Sequence, residues 1–428
     1  MSAASSSSTS IPPRAAALGL VAQVLETRRS LSEVLAQPAQ DFARLPPEGR
    51  ARAQRLALSL FRHAGRADHH LRRALRKPPP EPVRWVLRLA LVEMHVEGAA
   101  PHGVIHDAVE LTRLAGLPRL AGLVNAVLRG MAEGLEWHSA PVPRLPDWLR
   151  GALQNAHGAR VTAAIEAAHL VPAPLDLTLR GPRPDGLAGE MLPTGTLRLR
   201  DPGQISTLPG YAEGAWWVQD AAAALPARLL ADMAGARVLD LCAAPGGKAM
   251  QLAAMGLDVT ALDISDARMD HLRENLGRTG LAARPVVANA RDWQPDRPFD
   301  AILLDAPCSA TGTIRRHPEL PFLRGREDVA RLRALQAALL DRVLDPAQGL
   351  LRAGGRVVYC TCSLLPSEGE DQIRAAQQRH RFRVLPAQVP GVPHDWVAPD
   401  GSLRTRPDHW PEKGGIDGFY IALLQHVA

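Results

Sequence analysis

Cysteine and long apolar segments are scarce in this sequence, and each scarcity excludes a class of protein. Four cysteines in 428 residues cannot hold together a chain of this size through disulfide bonds. No apolar run reaches the roughly 18 residues that a membrane-spanning helix needs. The start, "MSAASSSSTSIPPR", lacks the charged end and the apolar middle of a signal peptide. We therefore expect a cytoplasmic protein, in a compartment where thiols stay reduced.

The excess of positive charge lies in the first third of the chain. Residues 1–140 hold 18 Lys and Arg against 12 Asp and Glu, whereas the rest of the chain holds 32 of each sign. Such an excess suggests an anionic partner, with nucleic acid as the first candidate. The solvated surface of an ordinary helical domain would explain it equally well.

A chain of this length is expected to form two or three domains. We interpret residues 1–13 as a disordered tail. Residues 14–140 contain five segments with apolar residues at spacings of three and four, separated by breakers such as "RKPPPEP", which predicts an all-helical bundle. Residues 141–235 alternate short helical and strand patterns and suggest a small mixed domain. One basic patch stands out in the bundle, although positive side chains in a last turn also suit the helix dipole; it consists of Arg72, Arg73, Arg76 and Lys77.

Residues 236–428 have a different pattern of apolar residues. Short apolar runs such as "RVLDLCA", "DVTALDI" and "DAILLDA" alternate with helical segments. This alternation predicts a parallel, doubly wound sheet, in which ligands bind beyond the carboxyl ends of the strands.

One strand runs into a glycine-containing turn, "VLDLCAAPGGK", whose glycines allow close approach of a ligand to backbone N–H groups. Lys248 in this turn is one of only three lysines in the chain. The segment is neither a P-loop nor a dinucleotide fingerprint. The next strand ends at Asp263, where a carboxylate can accept hydrogen bonds from ribose hydroxyls. A helix N-cap is the alternative for Asp263 alone, but the two features together favour a nucleoside-bearing cofactor.

Two of the cysteines follow predicted strands and could meet above the cofactor cleft. Cys308 lies in "LLDAPCSATG" and Cys362 in "VVYCTCSLL". Core packing is one interpretation, because free cysteine is commonly buried. Zinc binding is a poor match, since it needs about four ligands at short fixed spacings. Nucleophilic catalysis is the third, and it suits a thiol near neutral pH.

Four segments, "VLDLCAAPGGK", "LLDAPCSATG", "RRHPEL" and "VVYCTCSLLPSEGE", resemble the signature motifs of the RNA cytosine-C5 methyltransferases, which use S-adenosylmethionine. The front segment "HGVIHDAVELTRLAGLPRLAGLVNAVLRG" resembles the RNA-binding domain of the antitermination factor NusB. The resemblance implies a NusB-like all-α bundle, a small α/β bridging domain and a doubly wound, Rossmann-like methyltransferase domain.

The pairing of these domains implies small-subunit ribosomal RNA as the substrate and partner of a monomeric enzyme without a metal or membrane partner. Transfer RNA is the alternative substrate. A non-catalytic RNA-binding or ribosome assembly factor is the alternative from another class, although the intact motifs argue against it.

The resemblance also implies roles for individual residues. Cys362 is expected to be the nucleophile, Cys308 to assist product release, and Asp305 to lie near the methyl group and the target base. Asp263 is expected to bind the ribose. The loop for the methionine part of the cofactor consists of Cys242, Ala243, Ala244, Pro245, Gly246, Gly247 and Lys248.

Two positions depart from the family pattern. Asn289 stands where the family usually has an acidic residue for the adenosine, and Asp292 is the alternative ligand. Cys360 stands where serine or alanine is more common, and we expect its closeness to Cys362 to be incidental.

The chemistry implied by the resemblance needs a thiolate. Its addition to C6 of cytosine makes C5 reactive toward a methyl group, after which the C5 proton and the thiol are lost. Because the pKa of free cysteine is near 8.5, only about 3% is thiolate at neutral pH. The site must therefore favour the thiolate, and the base must leave any stack to reach it.

Overall fold

The computed structural model describes residues 11–427, which fold into two compact units. The helical unit contains the chain up to Arg150 together with His169–Val171 and Ile314–Leu323; Gly151–Ala168, Pro172–Thr313 and the chain from Arg324 form the sheet-containing unit. The tail expected for residues 1–13 lies mostly outside the described residues, and residues 11–13 belong to the first helix. Between residues 11 and 427, no helix is long and apolar enough to cross a membrane.

The helical unit confirms the predicted all-α bundle. Its fifth helix is buried over nearly its whole length, from Val83 to Met94. The bundle helices are α1 (Ile11–Thr27), α2 (Leu31–Ala36), α3 (Gln40–Ala43), α4 (Pro47–Ala74), α5 (Glu81–His95), α6 (Pro101–Leu114) and α7 (Ala121–Ala132), followed by α8 (Asp147–Ala168). Prolines at the first turns of α4, α5 and α6 suit positions where the backbone N–H has no helical partner.

Two charged side chains of α5 are buried, and each has oppositely charged partners. Arg88 forms hydrogen bonds of 2.6 and 2.8 Å with Asp68 and lies over the Trp85 ring. Glu93 accepts from Arg14 at 2.6 Å and from Arg52 at 3.2 Å. Removing one partner of such a pair would leave a buried charge uncompensated, at a cost of about 3–5 kcal/mol. These pairs therefore fix how α5 packs against its neighbours.

The "RRHPEL" segment belongs to the helical unit, which the sequence did not predict. Leu323 enters the apolar core of the bundle, and Phe322 lies 5.4 Å from Phe61 between ring centres. Glu319 is buried and accepts a hydrogen bond of 3.1 Å from the backbone N–H of Leu31. A stretch only six residues after Cys308 is thus part of the bundle core.

The sheet-containing unit has one small and one large sheet. The small sheet is antiparallel in the order β2-β3-β1-β4, and the large one has the order β10-β12-β9-β8-β5-β6-β7, with β11 beside β12. The strands are β1 (Leu175–Leu179), β2 (Glu190–Met191), β3 (Leu197–Leu199), β4 (Trp216–Val218), β5 (Arg237–Leu241), β6 (Asp258–Asp263), β7 (Arg284–Val287), β8 (Phe299–Asp305), β9 (Leu351–Thr361), β10 (Phe382–Leu385), β11 (Leu403–Thr405) and β12 (Phe419–His426). The helices are α9 (Leu225–Arg228), α10 (Gly247–Ala254), α11 (Asp266–Thr279), α12 (Leu320–Leu323, in the helical unit), α13 (Arg326–Leu344) and α14 (Glu370–Gln377).

The large sheet confirms the doubly wound prediction and adds an antiparallel edge. Strands β5 to β9 are parallel, whereas β12 runs antiparallel to β9. Successive residues of β5, such as Val238 and Leu239, point to opposite faces of the sheet and enter different hydrophobic clusters, so both faces of the sheet are covered. The small sheet belongs to the same compact unit, because Trp217 of β4 packs in the same cluster as Val238. This division differs from the separate bridging domain proposed for residues 141–235.

Candidate active site

The predicted cofactor and cysteine motifs lie along one edge of the large sheet. Leu241 at the end of β5 pairs with Leu262 of β6 and with Leu304 of β8. Asp305 pairs with Cys360 of β9. Since these four strands are parallel and neighbouring, their carboxyl ends bring the turn after β5, Asp263, Asp305 and Cys362 to the same edge.

The turn after β5 has a backbone that requires glycine at one position. Gly246 has a φ of 105° and begins α10, and a Cβ there would lie 3.0 Å from Cγ of Leu272. A Cβ at Gly247 would meet only ordinary contacts, 3.7 Å from the Gln219 side chain. Cys242 has a φ of 65°, an uncommon value for a residue other than glycine. The turn therefore has the tight, glycine-dependent backbone that its sequence predicted, and its role in holding a cofactor stays a prediction.

Asp263 connects this turn to the start of α11. Its buried carboxylate accepts hydrogen bonds from the backbone N–H of Ala244 at 3.2 Å and of Ser265 at 3.0 Å. Ser265 is the N-cap of α11, because its hydroxyl accepts from the N–H of Arg268. The N-cap alternative for Asp263 is therefore wrong. These two hydrogen bonds from backbone N–H groups hold the Asp263 carboxylate in place. They leave oxygen lone pairs that can accept hydrogen bonds from further donors.

Asn289 and Asp292 contact each other after the end of β7. The Asn289 amide donates to the Asp292 carboxylate at 2.6 Å, and its oxygen accepts from the backbone N–H of Arg291 at 3.2 Å. The Asn289 amide thus donates a hydrogen bond to the Asp292 carboxylate, so the two alternatives for the adenosine ligand form one hydrogen-bonded pair.

Lys248 and Asp305 form a charged pair between the two halves of the site. The Lys248 ammonium lies 2.7 Å from the Asp305 carboxylate, and the side chains are 10% and 31% exposed. Burial is the largest single effect and would lower the pKa of Lys248. The attraction and hydrogen bond of Asp305, together with Cys360 and Asp240, outweigh it and raise that pKa. The lysine is therefore a permanent cation here, and the carboxylate is the more accessible member of the pair.

Cys360 contacts the Lys248–Asp305 pair, although no role was predicted for it and its closeness to Cys362 was expected to be incidental. Its thiol is buried and donates to Asp305 at 3.5 Å, and burial followed by the Asp305 charge raises its pKa. Residues two apart on a strand point to the same face, and both Cys360 and Cys362 contact one hydrophobic cluster. Cys360 is thus a protonated neighbour of the Lys248–Asp305 pair.

Asp240 is a buried carboxyl group beneath the turn. Neither carboxylate oxygen has a hydrogen-bond partner within the part of the chain that the structure describes. Burial raises the pKa of Asp240 to about 8, although Lys248 acts in the opposite direction. Asp305 and Asp263 also raise it.

This raised pKa predicts a pH-dependent loss of stability. An unfolded aspartate has a pKa near 3.9, so between about pH 4 and pH 8 the folded chain binds the Asp240 proton more tightly. Folding stability must then fall as pH rises through this range. Asp240→Asn should remove the loss, so that its melting temperature exceeds that of the native chain by several degrees at pH 8 and by little at pH 4.5. Asp258→Asn, at an exposed position on β6, is the control. If the melting temperatures of Asp240→Asn and of the native chain change by the same amount between pH 4.5 and pH 8, the raised pKa of Asp240 is contradicted.

Cys308 and Cys362 are in contact, as the sequence suggested. Their sulfur atoms lie 3.4 Å apart. The hydrogen bond to Cys362, followed by burial, raises the pKa of Cys308 well above its usual value. Cys308 therefore keeps its proton, within hydrogen-bond distance of the Cys362 sulfur.

Close backbone contacts fix the loop that carries Cys308. The N–H of Gly312 donates to the Cys362 carbonyl at 2.9 Å, and the N–H of Gly418 donates to the Gly312 carbonyl at 2.9 Å. A Cβ at Gly312 would lie 1.9 Å from the Gly418 carbonyl oxygen, so only glycine fits. The glycines of "ATG" (Gly312) and "DGFY" (Gly418) therefore allow the backbone contact that holds the two cysteine loops together.

The sequence missed several residues of the site. Lys248 was assigned to the cofactor loop, but its side chain reaches Asp305; Asp240 and Cys360 received no role. For Lys248, the scarcity of lysine was a signal in the sequence, because the chain has only three lysines. Among residues 11–427, no group of three or more His, Cys, Asp or Glu side chains could hold a metal ion.

Comparisons with known proteins identify the family of the chain. The family described as "16S rRNA methyltransferase RsmB/F" matches residues 227–425, and the NusB family matches residues 12–133. Ribosomal RNA small subunit methyltransferase B of Salmonella newport is 35% identical over 96% of this chain and 98% of its own length. The protein of the same name from Xanthomonas campestris is 34% identical over 99% of both chains.

Solved structures support the fold. The crystal structure of a protein designated PH0851 has a TM-score of 0.73 and 23% identity, and the match covers 96% of this chain and 98% of that one. A methyltransferase homologue from Pyrococcus horikoshii has a TM-score of 0.53 and 24% identity over 69% of this chain and 96% of its own. With near-complete coverage at about one third identity to the curated relatives, this chain belongs to the ribosomal RNA small subunit methyltransferase B family, the Fmu or Sun type of 16S ribosomal RNA methyltransferase.

Proposed function

We propose that the protein methylates C5 of a cytidine in small-subunit ribosomal RNA, with S-adenosylmethionine as methyl donor and a covalent bond between Cys362 and C6. The observation that carries this proposal is the pair of cysteine sulfurs 3.4 Å apart at the sheet edge that also carries the Lys248–Asp305 pair. A protonated thiol beside a second thiol, next to a charged pair, suits nucleophilic attack on a base better than core packing does.

The residues of the cofactor side suit S-adenosylmethionine. Gly247 and Lys248 begin α10, so their backbone N–H groups have no partner within the helix and are donors for the methionine carboxylate, and Asp263 offers acceptors for ribose hydroxyls. Asn289 and Asp292 lie beyond the next strand, where the adenosine would extend. When bound, this cofactor supplies an electrophilic methyl group. The buried carboxyl of Asp240 lies beneath the turn with both oxygens unpartnered in the described structure, and a positively charged ligand nearby would favour its ionised form.

The protein's own residues account for activation of the base. Cys362 adds to C6 as a thiolate, and the protonated thiol of Cys308, 3.4 Å away, can donate a hydrogen bond to it. Addition pushes electron density onto C5 and the ring. Asp305 is the accessible member of its pair and can accept a hydrogen bond from the cytosine amino group, while the Lys248 cation offsets negative charge on the ring.

Release of the product follows from the same contact. Once Cys362 is bonded to C6, it no longer carries negative charge beside Cys308. The hydrogen bond with Cys362 is the largest cause of the raised Cys308 pKa, and the charge of Cys362 is a further one. The bond to C6 removes the charge and weakens the hydrogen bond, so Cys308 can lose its proton to solvent. As a thiolate it can take the proton from C5, after which the electrons of the C5–H bond expel Cys362 as a thiolate.

The substrate assignment is testable in cells. Bisulfite sequencing of small-subunit ribosomal RNA from a strain lacking the gene should show one cytidine that has lost protection from deamination, and a plasmid copy should restore it. A Cys362→Ala copy should fail to restore it. An unchanged pattern in the deletion strain would refute the assignment to this RNA.

We also propose that the helical unit contributes RNA affinity through phosphate contacts. Arg72 and Arg73 are exposed at the end of α4, and Arg76 and Lys77 are exposed just beyond it. Replacing all four with glutamine in the full chain should weaken binding and reduce the slope of log affinity against log salt by up to about 3, since each phosphate contact contributes about 0.7–0.9. The control replaces the dispersed exposed arginines Arg44, Arg50, Arg119 and Arg129. An equal effect of both sets would show only a loss of net charge.

The Asn289–Asp292 pair changes the expected effect of an acidic residue at position 289. Asn289→Asp alone would place two carboxylates in contact, because the present side chains are 2.6 Å apart. The double variant Asn289→Asp/Asp292→Asn restores the pairing with a carboxylate at 289. It should tighten cofactor binding by up to about 1.4 kcal/mol, roughly tenfold, because bonds to charged groups exceed neutral ones by about this much. Calorimetry that finds no change in either variant would show that this pair does not contact the adenosine.

A further inference from the structure

Glu368 is a buried carboxylate between the two cysteine loops, and the mechanism above does not use it. Its side chain is 0% exposed. It lies six residues after Cys362 in "LLPSEGE", at the end of a short helical turn, Pro366–Glu368. Within residues 11–427, no basic side chain forms an ion pair with it. A buried carboxylate without a cation is stable only if hydrogen bonds compensate it.

Those hydrogen bonds come from the residues that directly follow the two cysteines. Ser309, next to Cys308, donates to Glu368 through its backbone N–H at 2.9 Å and through its hydroxyl. Ser363, next to Cys362, donates through its hydroxyl at 2.6 Å. One carboxylate thus holds both loops, each at the residue adjacent to the reactive thiol.

The carboxylate is itself held from the other side. Gln336 of α13 donates to it at 3.0 Å and also to the carbonyl of Pro307 at 2.8 Å. The Tyr359 hydroxyl donates to the Glu368 carbonyl at 2.8 Å. The four hydrogen bonds to the carboxylate fill its acceptor capacity, which is about four lone pairs. A fully satisfied buried network of this kind is rigid.

We propose that Glu368 is the positioning residue that fixes the Cys308 and Cys362 sulfurs side by side, through Ser309 and Ser363. The inference rests on the proposed function of the two cysteines. The charge of Glu368 also contributes to the raised pKa of Cys308, which keeps the release thiol protonated until Cys362 has reacted. Glu368 touches neither thiol, so it acts through the two serines.

Glu368→Gln keeps the size of the side chain but not its acceptor capacity. An amide has one acceptor oxygen, and its NH₂ group would face hydroxyls that now donate to the carboxylate. We expect kcat to fall at least thirtyfold, with KM for RNA and the dissociation constant of S-adenosylmethionine within about twofold of native. The rate of covalent adduct formation with RNA that contains 5-fluorocytidine should fall by the same factor as kcat.

Serine variants separate positioning from general destabilisation. Ser309→Ala/Ser363→Ala leaves the carboxylate in place and should reproduce most of the loss, and Glu368→Gln should add less than threefold in that background. Ser402→Ala is the matched control, because it removes a hydrogen bond of 2.6 Å from a buried serine to the carboxylate of Asp400. It should retain native kcat. The serine variants test the inference even if Glu368→Gln does not fold.

Two results would overturn this inference without touching the proposed function. The first is a native rate of adduct formation and a native kcat in Glu368→Gln or in the double serine variant. The second is a loss in the combined variant that equals the product of the separate losses. A native protein that forms no adduct with the fluorinated RNA, although it binds it, would instead overturn the proposed function and this inference with it.

Discussion

Cys362→Ala is expected to abolish methyl transfer, with a loss of at least about 10⁴-fold in kcat, while cofactor affinity stays within about twofold of native. The loss follows because the proposed bond to C6 needs the Cys362 sulfur, and removal of a nucleophile costs several orders of magnitude in other enzymes. Cofactor affinity is retained because the turn 242–248 and Asp263 are hydrogen-bonded to each other and not to Cys362. A tritiated-methyl assay and calorimetry measure the two quantities.

Cys360→Ala is the matched control for this variant. It removes a buried thiol two residues away that contacts Asp305. We expect reduced but measurable turnover, because the Cys308–Cys362 contact is intact. Normal turnover by Cys362→Ala, or complete loss in both variants, would contradict the assignment of the nucleophile.

Cys308→Ala is expected to trap a covalent complex between the protein and its RNA. If Cys308 removes the C5 proton, its loss stalls the enzyme after addition and methyl transfer. The contact of 3.4 Å places it beside the sulfur that must leave. A denaturing gel with labelled RNA should show a slowly migrating band for Cys308→Ala and little for the native protein.

The double variant Cys308→Ala/Cys362→Ala decides whether that band reports the proposed bond. Without Cys362 there is no nucleophile, so the band should disappear. A band of equal strength in the double variant would place the bond on another residue. Absence of the band from Cys308→Ala, despite RNA binding, would show that Cys308 has no part in release.

Much of the site was predictable because the key motifs follow parallel strands. The position of a residue after a strand determines the edge at which it lies, so Asp263, Asp305 and Cys362 were expected to converge. The bundle was predictable for a similar reason, since apolar spacing of three and four is local information.

What could not be predicted depends on side-chain contacts between distant segments. Lys248 reaches Asp305, 57 positions later, and Glu368 holds serines of two different loops. The antiparallel edge depends on pairing of β12 with β9, for which the sequence has no local signal. The stretch Ile314–Leu323, which contains "RRHPEL", enters the bundle core through Phe322 and Leu323, whose apolar character alone does not identify their partners.

The most direct test of the central claim is identification of the residue that bonds to RNA. Native protein would be incubated with S-adenosylmethionine and small-subunit RNA containing 5-fluorocytidine, where fluorine at C5 prevents the final proton loss. Mass spectrometry of digested complexes should find a peptide with Cys362 joined to a base that carries the transferred methyl group. A base joined through Cys308, or methylated RNA that never forms a covalent complex, would contradict the account.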